Sequence, residues 1–122
     1  MIVLDEQLAD ARIVAAIERW YRGKVINLLE VRPHTRVLDD VIGVLLLRLK
    51  DPTFITINYH DFWRKMDAHP GFCVICFNLP MERAREIPGS LRMIFSLPEW
   101  STKRKRMGKV ISVSGRTLRY YQ

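Results

Sequence analysis

The sequence predicts an α/β domain with a mainly parallel central sheet and helices on both faces. Three observations predict it. Short β-branched runs alternate with helical ones from the first residues to about position 80. The length of 122 residues fits one domain, able to bury roughly two-thirds of the surface of its unfolded chain. The composition, 48% hydrophobic and 27% charged with 6 Gly and 6 Pro, excludes disordered, collagen-like and low-complexity classes.

Ile2-Val3-Leu4, cut off by Asp5-Glu6, reads as a buried first strand. From Leu8 to Tyr21, apolar Ile13, Val14, Ile17, Trp20 and Tyr21 oppose Arg12, Glu18 and Arg19, the pattern of an amphipathic helix that Gly23 ends. Val25 to Val31 resumes as strand, and Arg32 to Arg36, with Pro33, makes a polar loop. Asp39 or Asp40 opens a second helix through Leu49, apolar enough to imply burial on most sides. Asp51-Pro52 breaks it, and Thr53 to Ile57 is the third strand. A short helix from Asp61 to about Met66 follows, then a fourth strand from Phe72 to Phe77. Alternation of this kind favours a parallel sheet with right-handed crossovers. Met81 to Leu97 reads as helical in part, interrupted around Pro88-Gly89, and the chain closes on a hairpin: Val110 to Val113, a turn at Ser114-Gly115, and Thr117 to Tyr121.

The pair Cys73-x-x-Cys76 invites a redox or zinc reading. Both cysteines lie within one apolar strand run, where a spacing of three points them to opposite faces, so they share neither a disulfide nor a metal. No second Cys or His pair stands nearby to complete a zinc site. The reading is two buried structural thiols.

Ile2 to Leu4 runs directly into acids, with no basic-then-apolar leader, so a secretion signal is not expected. The longest apolar run, Val41 to Leu47, falls short of the ~20 residues that cross a bilayer. The expectation is a soluble cytoplasmic protein without a membrane partner.

Net charge is +7, and it is unevenly placed. Residues 1 to 60 carry 8 Lys/Arg and 8 Asp/Glu, residues 61 to 122 carry 12 and 5, so the whole excess lies in the second half. Its densest stretch, Lys103-Arg104-Lys105-Arg106, followed by Lys109, Arg116 and Arg119, is the footprint a phosphate backbone attracts. A solvated surface or a protein-binding segment explains a lone charge run equally well.

In open parallel sheets, ligands bind beyond the carboxyl ends of the strands. Asp5 and Glu6 follow the first strand, Asn58 and Asp61 follow the third, and Asp39 and Asp40 sit at a helix N-terminus after the second. Oxygen donors converging at that edge would suit Mg²⁺ or Mn²⁺, and such an ion supports phosphodiester hydrolysis. Plain alternatives stand beside this. Asp39 and Asp61 each have a role as helix N-caps, worth ~1 kcal/mol on substitution by Ala. Asp5 has less of one, since a carboxylate ending a buried strand has desolvation to overcome unless it caps Glu6 onward. His34, His60 and His69 stand apart in sequence, and Trp20, Trp63, Trp100, Tyr120 and Tyr121 read mainly as packing residues, with Tyr120 and Tyr121 near Arg119 leaving a nucleic-acid role open.

The opening Ile2-Val3-Leu4-Asp5-Glu6-Gln7-Leu8, the helix led by Asp39, the run into His60-Asp61-Phe62 and the apolar fourth strand together resemble PIN-like nucleases of the VapC type. The nearest likeness is to a short branch that opens on Leu-Asp-Glu-x-Leu and closes with a hairpin around a Gly-Arg turn, here Gly115-Arg116. The resemblance implies a three-layer α/β/α fold and a metal-dependent ribonuclease, commonly the toxin of a toxin–antitoxin pair, with Asp5, Asp39 and Asp61 as catalytic metal ligands. It implies RNA as substrate and a cognate antitoxin as partner, with a homodimer left open. The family usually reads Thr-x-Asp-x-Asp-Phe after the third strand; here Ile57 replaces the Thr and Tyr59 the first Asp. Loss of a carboxylate weakens affinity for a hard cation. Either Asn58 or Glu6 supplies the missing oxygen, or the chain is a catalytically degenerate module that binds nucleic acid or a protein.

Overall fold

The structure is a computed structural model and describes residues 1–31 and 41–122. Six strands form one sheet: β1 Ile2–Leu4, β2 Val25–Asn27, β3 Thr53–Thr56, β4 Cys73–Phe77, β5 Val110–Ser114 and β6 Thr117–Tyr121, in the spatial order β2-β1-β3-β4-β5-β6. The first five run parallel, and β6 pairs antiparallel with β5. Between them lie α1 Ala11–Glu18, α2 Leu28–Val31, α3 Ile42–Leu46, α4 Tyr59–Phe62, α5 Ile87–Ser96 and α6 Lys103–Arg106. None is long and apolar enough to cross a membrane among the described residues.

Every residue of β1, β3 and β4 is buried, which is why these strands read as continuous apolar runs rather than alternating ones. Strand alternation divides the core into two layers. Leu4, Ile55, Ile75 and Ile111 lie side by side across four strands and pack beneath Ile13 and Ile17 of α1 and Leu91 and Ile94 of α5. Val3, Phe54, Val74 and Val110 form the matching row on the other face, under Ile42 and Leu45 of α3 and Phe62 of α4. Cys73 belongs to the first layer and Cys76 to the second, both as buried free thiols.

Several boundaries differ from the sequence reading, each for a local reason. Asp10 accepts a hydrogen bond from the Arg12 amide at 2.8 Å and so starts α1 at Ala11, leaving Leu8 in a 3₁₀ turn at Glu6–Leu8. The helix ends at Glu18, before Gly23; that glycine instead makes room for Tyr21, whose hydroxyl oxygen would lie 2.5 Å from a Cβ there. β2 stops at Asn27 because the Asn27 side chain accepts from the Leu29 amide at 2.9 Å while Glu30 accepts from the Asn27 amide at 2.6 Å, which turns the chain into α2. α3 buries Ile42, Leu45 and Leu46 but exposes Val44, and Leu47 just after it is exposed too, so this segment is apolar on a side that solvent reaches. Asp39 and Asp40 lie outside the described residues. α4 begins at Tyr59, so Asp61 is inside it and caps nothing. Pro88 sits in the first turn of α5, where its missing amide has no partner to lose; it begins a helix where an interruption was expected.

At the far edge, the two-residue link between Ser114 and Thr117 places Gly115 at φ +59, with Arg116 outside the positive-φ region. This is the pattern of a tight hairpin turn with glycine first.

Candidate functional site

All five parallel strands end at the same sheet edge, and that edge is polar: Asn27 closes β2, Asp5 follows β1, Thr56 closes β3 and Asn78 follows β4. The strand order reverses direction here. The chain passes outward from β1 to β2 and returns to β3 on the other side of β1, leaving a crevice between the carboxyl ends of β1 and β3.

Asp5 stands in that crevice, 7% exposed. Its Oδ2 accepts from the Thr56 hydroxyl at 2.7 Å, and its Oδ1 accepts from the Glu6 amide at 2.7 Å. Thr56 in turn accepts from the Asn58 amide at 2.9 Å. The Asp5 backbone is fixed as well, its amide donating to the Ile55 carbonyl at 2.9 Å and its carbonyl receiving the Asn27 side-chain amide at 3.1 Å. In so little solvent, the Thr56 hydroxyl and the Glu6 amide offset part of the carboxylate's desolvation. The bond to Glu6 is also the N-cap of the 3₁₀ turn, so the modest capping role and the crevice position belong to one side chain.

The other sequence candidates are placed less favourably. Glu6 sits beside Asp5 in the 3₁₀ turn, half-buried. Asn58 is half-buried at the start of the β3–α4 connection. Asp61 is exposed and lines a cavity of about 560 Å³ with Val44, Leu47, His69 and Phe72, under α3. Among the described residues, no three His, Cys, Asp or Glu side chains come together closely enough to hold a metal ion. Asp5 and Asp61 therefore belong to no common three-residue cluster among the described residues. Tyr59 shares a hydrogen bond at 2.8 Å with the Ser112 hydroxyl on β5. It is turned toward the β5–β6 edge.

The basic run Lys103 to Arg106 is α6, and it is not uniformly a surface. Arg106 is 7% exposed. Its guanidinium lies 3.9 Å from the centre of the Phe95 ring and donates to the Trp100 carbonyl at 2.8 Å. Burial pushes its pKa down. Lys103 pairs with Asp51 at 3.3 Å, and Lys105 donates to the Pro98 carbonyl at 2.8 Å. Of the four basic residues read as a phosphate footprint, Arg106 is removed by its own burial, its guanidinium covered and turned to the Trp100 carbonyl.

The residues that sequence reasoning missed are Thr56, Asn27 and Glu30. Thr56 carried a signal: a hydroxyl ending a strand that is buried throughout needs a partner, and the nearest strand end offers Asp5. Asn27 and Glu30 were hidden inside a run read as continuous strand.

No family model matches the chain, and neither does any curated protein or any solved structure.

Proposed function

We propose that the protein is a PIN-like, metal-dependent ribonuclease in which Asp5 is the anchoring metal ligand, acting as the toxin component of a toxin–antitoxin pair. The observation that carries this reading is the Asp5 carboxylate at the carboxyl end of β1, in the crevice where strand order reverses, held by Thr56. Its surroundings fit a hard cation. Asp5 and the Thr56 hydroxyl supply oxygens there, with Glu6 and Asn58 next to them through their backbone amides, while both thiols are buried in the sheet. Asp5 and Glu6 would hold the ion, with Asn58 beside them. Mg²⁺ or Mn²⁺ held there would polarise a phosphoryl oxygen and acidify a water. Thr56 fixes which lone pairs of Asp5 face the crevice, and the Glu6 amide holds the other oxygen in place.

A specific observation favours a second reading, a PIN-like module without catalysis: the Tyr59 hydroxyl is engaged by Ser112, and the described residues show no three-acid cluster. RNA cleavage with Mg²⁺ or Mn²⁺ by the wild type and by Asp5→Ala separates the two. The nuclease reading expects cutting by the wild type and none by the variant. Equal cutting by both would overturn it, and RNA binding without cutting would establish the silent module.

A further inference from the structure

We infer that the nucleic-acid contact surface lies on the α4–β6 face, where Arg64 and Arg119 are mounted on Trp63 beside the Tyr59 hydroxyl, and that it binds phosphates of single-stranded RNA. The inference deepens the nucleic-acid part of the reading above and rests on it. Trp63, nearly buried, leaves α4 in an extended conformation, and Arg64 follows at φ +61, which folds its side chain back over the indole. The Arg64 guanidinium carbon is 5.3 Å from the Trp63 ring centre, and that of Arg119, from β6, is 5.6 Å from it. Tyr59 stacks on the same ring at 6.2 Å and 29°, and Tyr121 tilts against it at 5.2 Å.

β5 and β6 complete the arrangement. Ser112 and Arg119 are directly paired across the two strands, and the Tyr59 hydroxyl touches both, at 2.8 Å to the Ser112 oxygen and 3.4 Å to the Arg119 guanidinium. Two exposed guanidinium groups thus share one aromatic support. Neither forms an ion pair among the described residues, although Asp61 and Asp67 are close in sequence.

Three features identify the ligand class. A guanidinium lying over an aromatic ring keeps its N–H edge free, and that planar fork matches two phosphate oxygens. No described acid pairs with either guanidinium, which favours a polyanion over a neutral peptide. Finally, the surface is continuous with the crevice through one short link: Thr56 binds Asp5, the Asn58 amide binds Thr56, and Tyr59 begins the aromatic group. A strand contacting Arg64 and Arg119 would have its backbone led toward Asp5. The α6 run offers no such path, since Arg106 is buried and Lys103 is paired.

The test is fluorescence anisotropy of a labelled single-stranded RNA of about 12 nucleotides, titrated in EDTA over a range of salt. Arg64→Gln with Arg119→Gln should make the plot of log K against log salt shallower by about 1.4, since each lost phosphate contact on a single strand is worth about 0.7. Arg64→Lys with Arg119→Lys should restore most of the slope while binding more weakly than wild type. Arg22→Gln with Arg92→Gln, which removes two exposed charges elsewhere, should leave it unchanged. Arg119→Gln alone, on the edge strand, should lower the slope by about 0.7 and serves if the double variant melts early. An unchanged slope in the Arg64/Arg119 variants, an equal loss in the Arg22/Arg92 control, or displacement of RNA by polyglutamate at the same charge concentration would overturn the assignment. EDTA removes any metal-dependent cleavage, so binding without later cutting would sink the nuclease and spare this surface.

Discussion

The Thr56 hydroxyl donates to the Asp5 carboxylate at 2.7 Å across the neighbouring ends of β3 and β1. The two residues are 51 positions apart in sequence, and only the parallel pairing of β1 with β3, with Leu4 opposite Ile55, brings them together. One hydroxyl therefore has two tasks, orienting the acid and accepting from the Asn58 amide that opens the next connection.

Thr56→Val keeps the strand shape and removes both bonds. Because the carboxylate and the Asn58 amide each lose a partner in a site with little water, the expected cost is about 1–3 kcal/mol in urea unfolding. Thr56→Ser should recover most of it. A valine variant as stable as wild type would mean that water replaces the hydroxyl and that the bond does not organise the crevice.

Arg106 is a core residue by position and a cation by chemistry. Arg106→Ala loses the contact with Phe95 and the bond to the Trp100 carbonyl, with an expected cost of about 2–4 kcal/mol. Arg106→Met, which retains the length of the side chain, should cost less, since removing a buried charge recovers its desolvation. Both should bind RNA with the wild-type salt slope once folded. A shallower slope would place Arg106 at the interface after all.

The two cysteines give the protein an alkaline limit. Burial pushes the Cys73 and Cys76 thiols up to about 12 in each case. In the unfolded chain they titrate near 8.5. Between those values the folded state retains protons that the unfolded state releases, so stability falls as pH rises from about 9 toward 12. The urea midpoint should drop over that range, and substitution of both residues by Ala should flatten the decline. Thiol reagents at pH 8 should label the native protein only at the rate of its opening.

Much of the fold was legible because its strands are short, apolar and separated by strong breaks, such as Asp51-Pro52 before β3. The order of alternation predicted a parallel sheet, and the sheet is parallel through β5. What periodicity misjudged were lengths. Asn27 and Glu30 end β2 by side-chain bonds that no apolar pattern encodes, and Arg64 in a left-handed conformation closes α4 after Phe62. For the site, the position of Asp5 was visible in sequence, since an acid ending a first buried strand is costly without a purpose. Its partner Thr56 was missed although a hydroxyl ending a buried strand needs a partner, because a threonine inside a strand is first read as β propensity. The basic run misled for a related reason: sequence counts charges, whereas burial decides which of them reach solvent, and Arg106 does not. Arg64 and Arg119, dispersed among other charges, become a pair only through Trp63.

The most direct test of the central claim is the anomalous scattering of crystals soaked in Mn²⁺. An ion held by Asp5 should appear as a peak within about 2.5 Å of its carboxylate oxygens, beside Thr56 and Glu6, and should disappear in Asp5→Asn crystals that keep the same fold. A Mn²⁺ site elsewhere, or none at Asp5 when RNA is nevertheless cut by the same preparation, would contradict the assignment of Asp5 as the metal anchor.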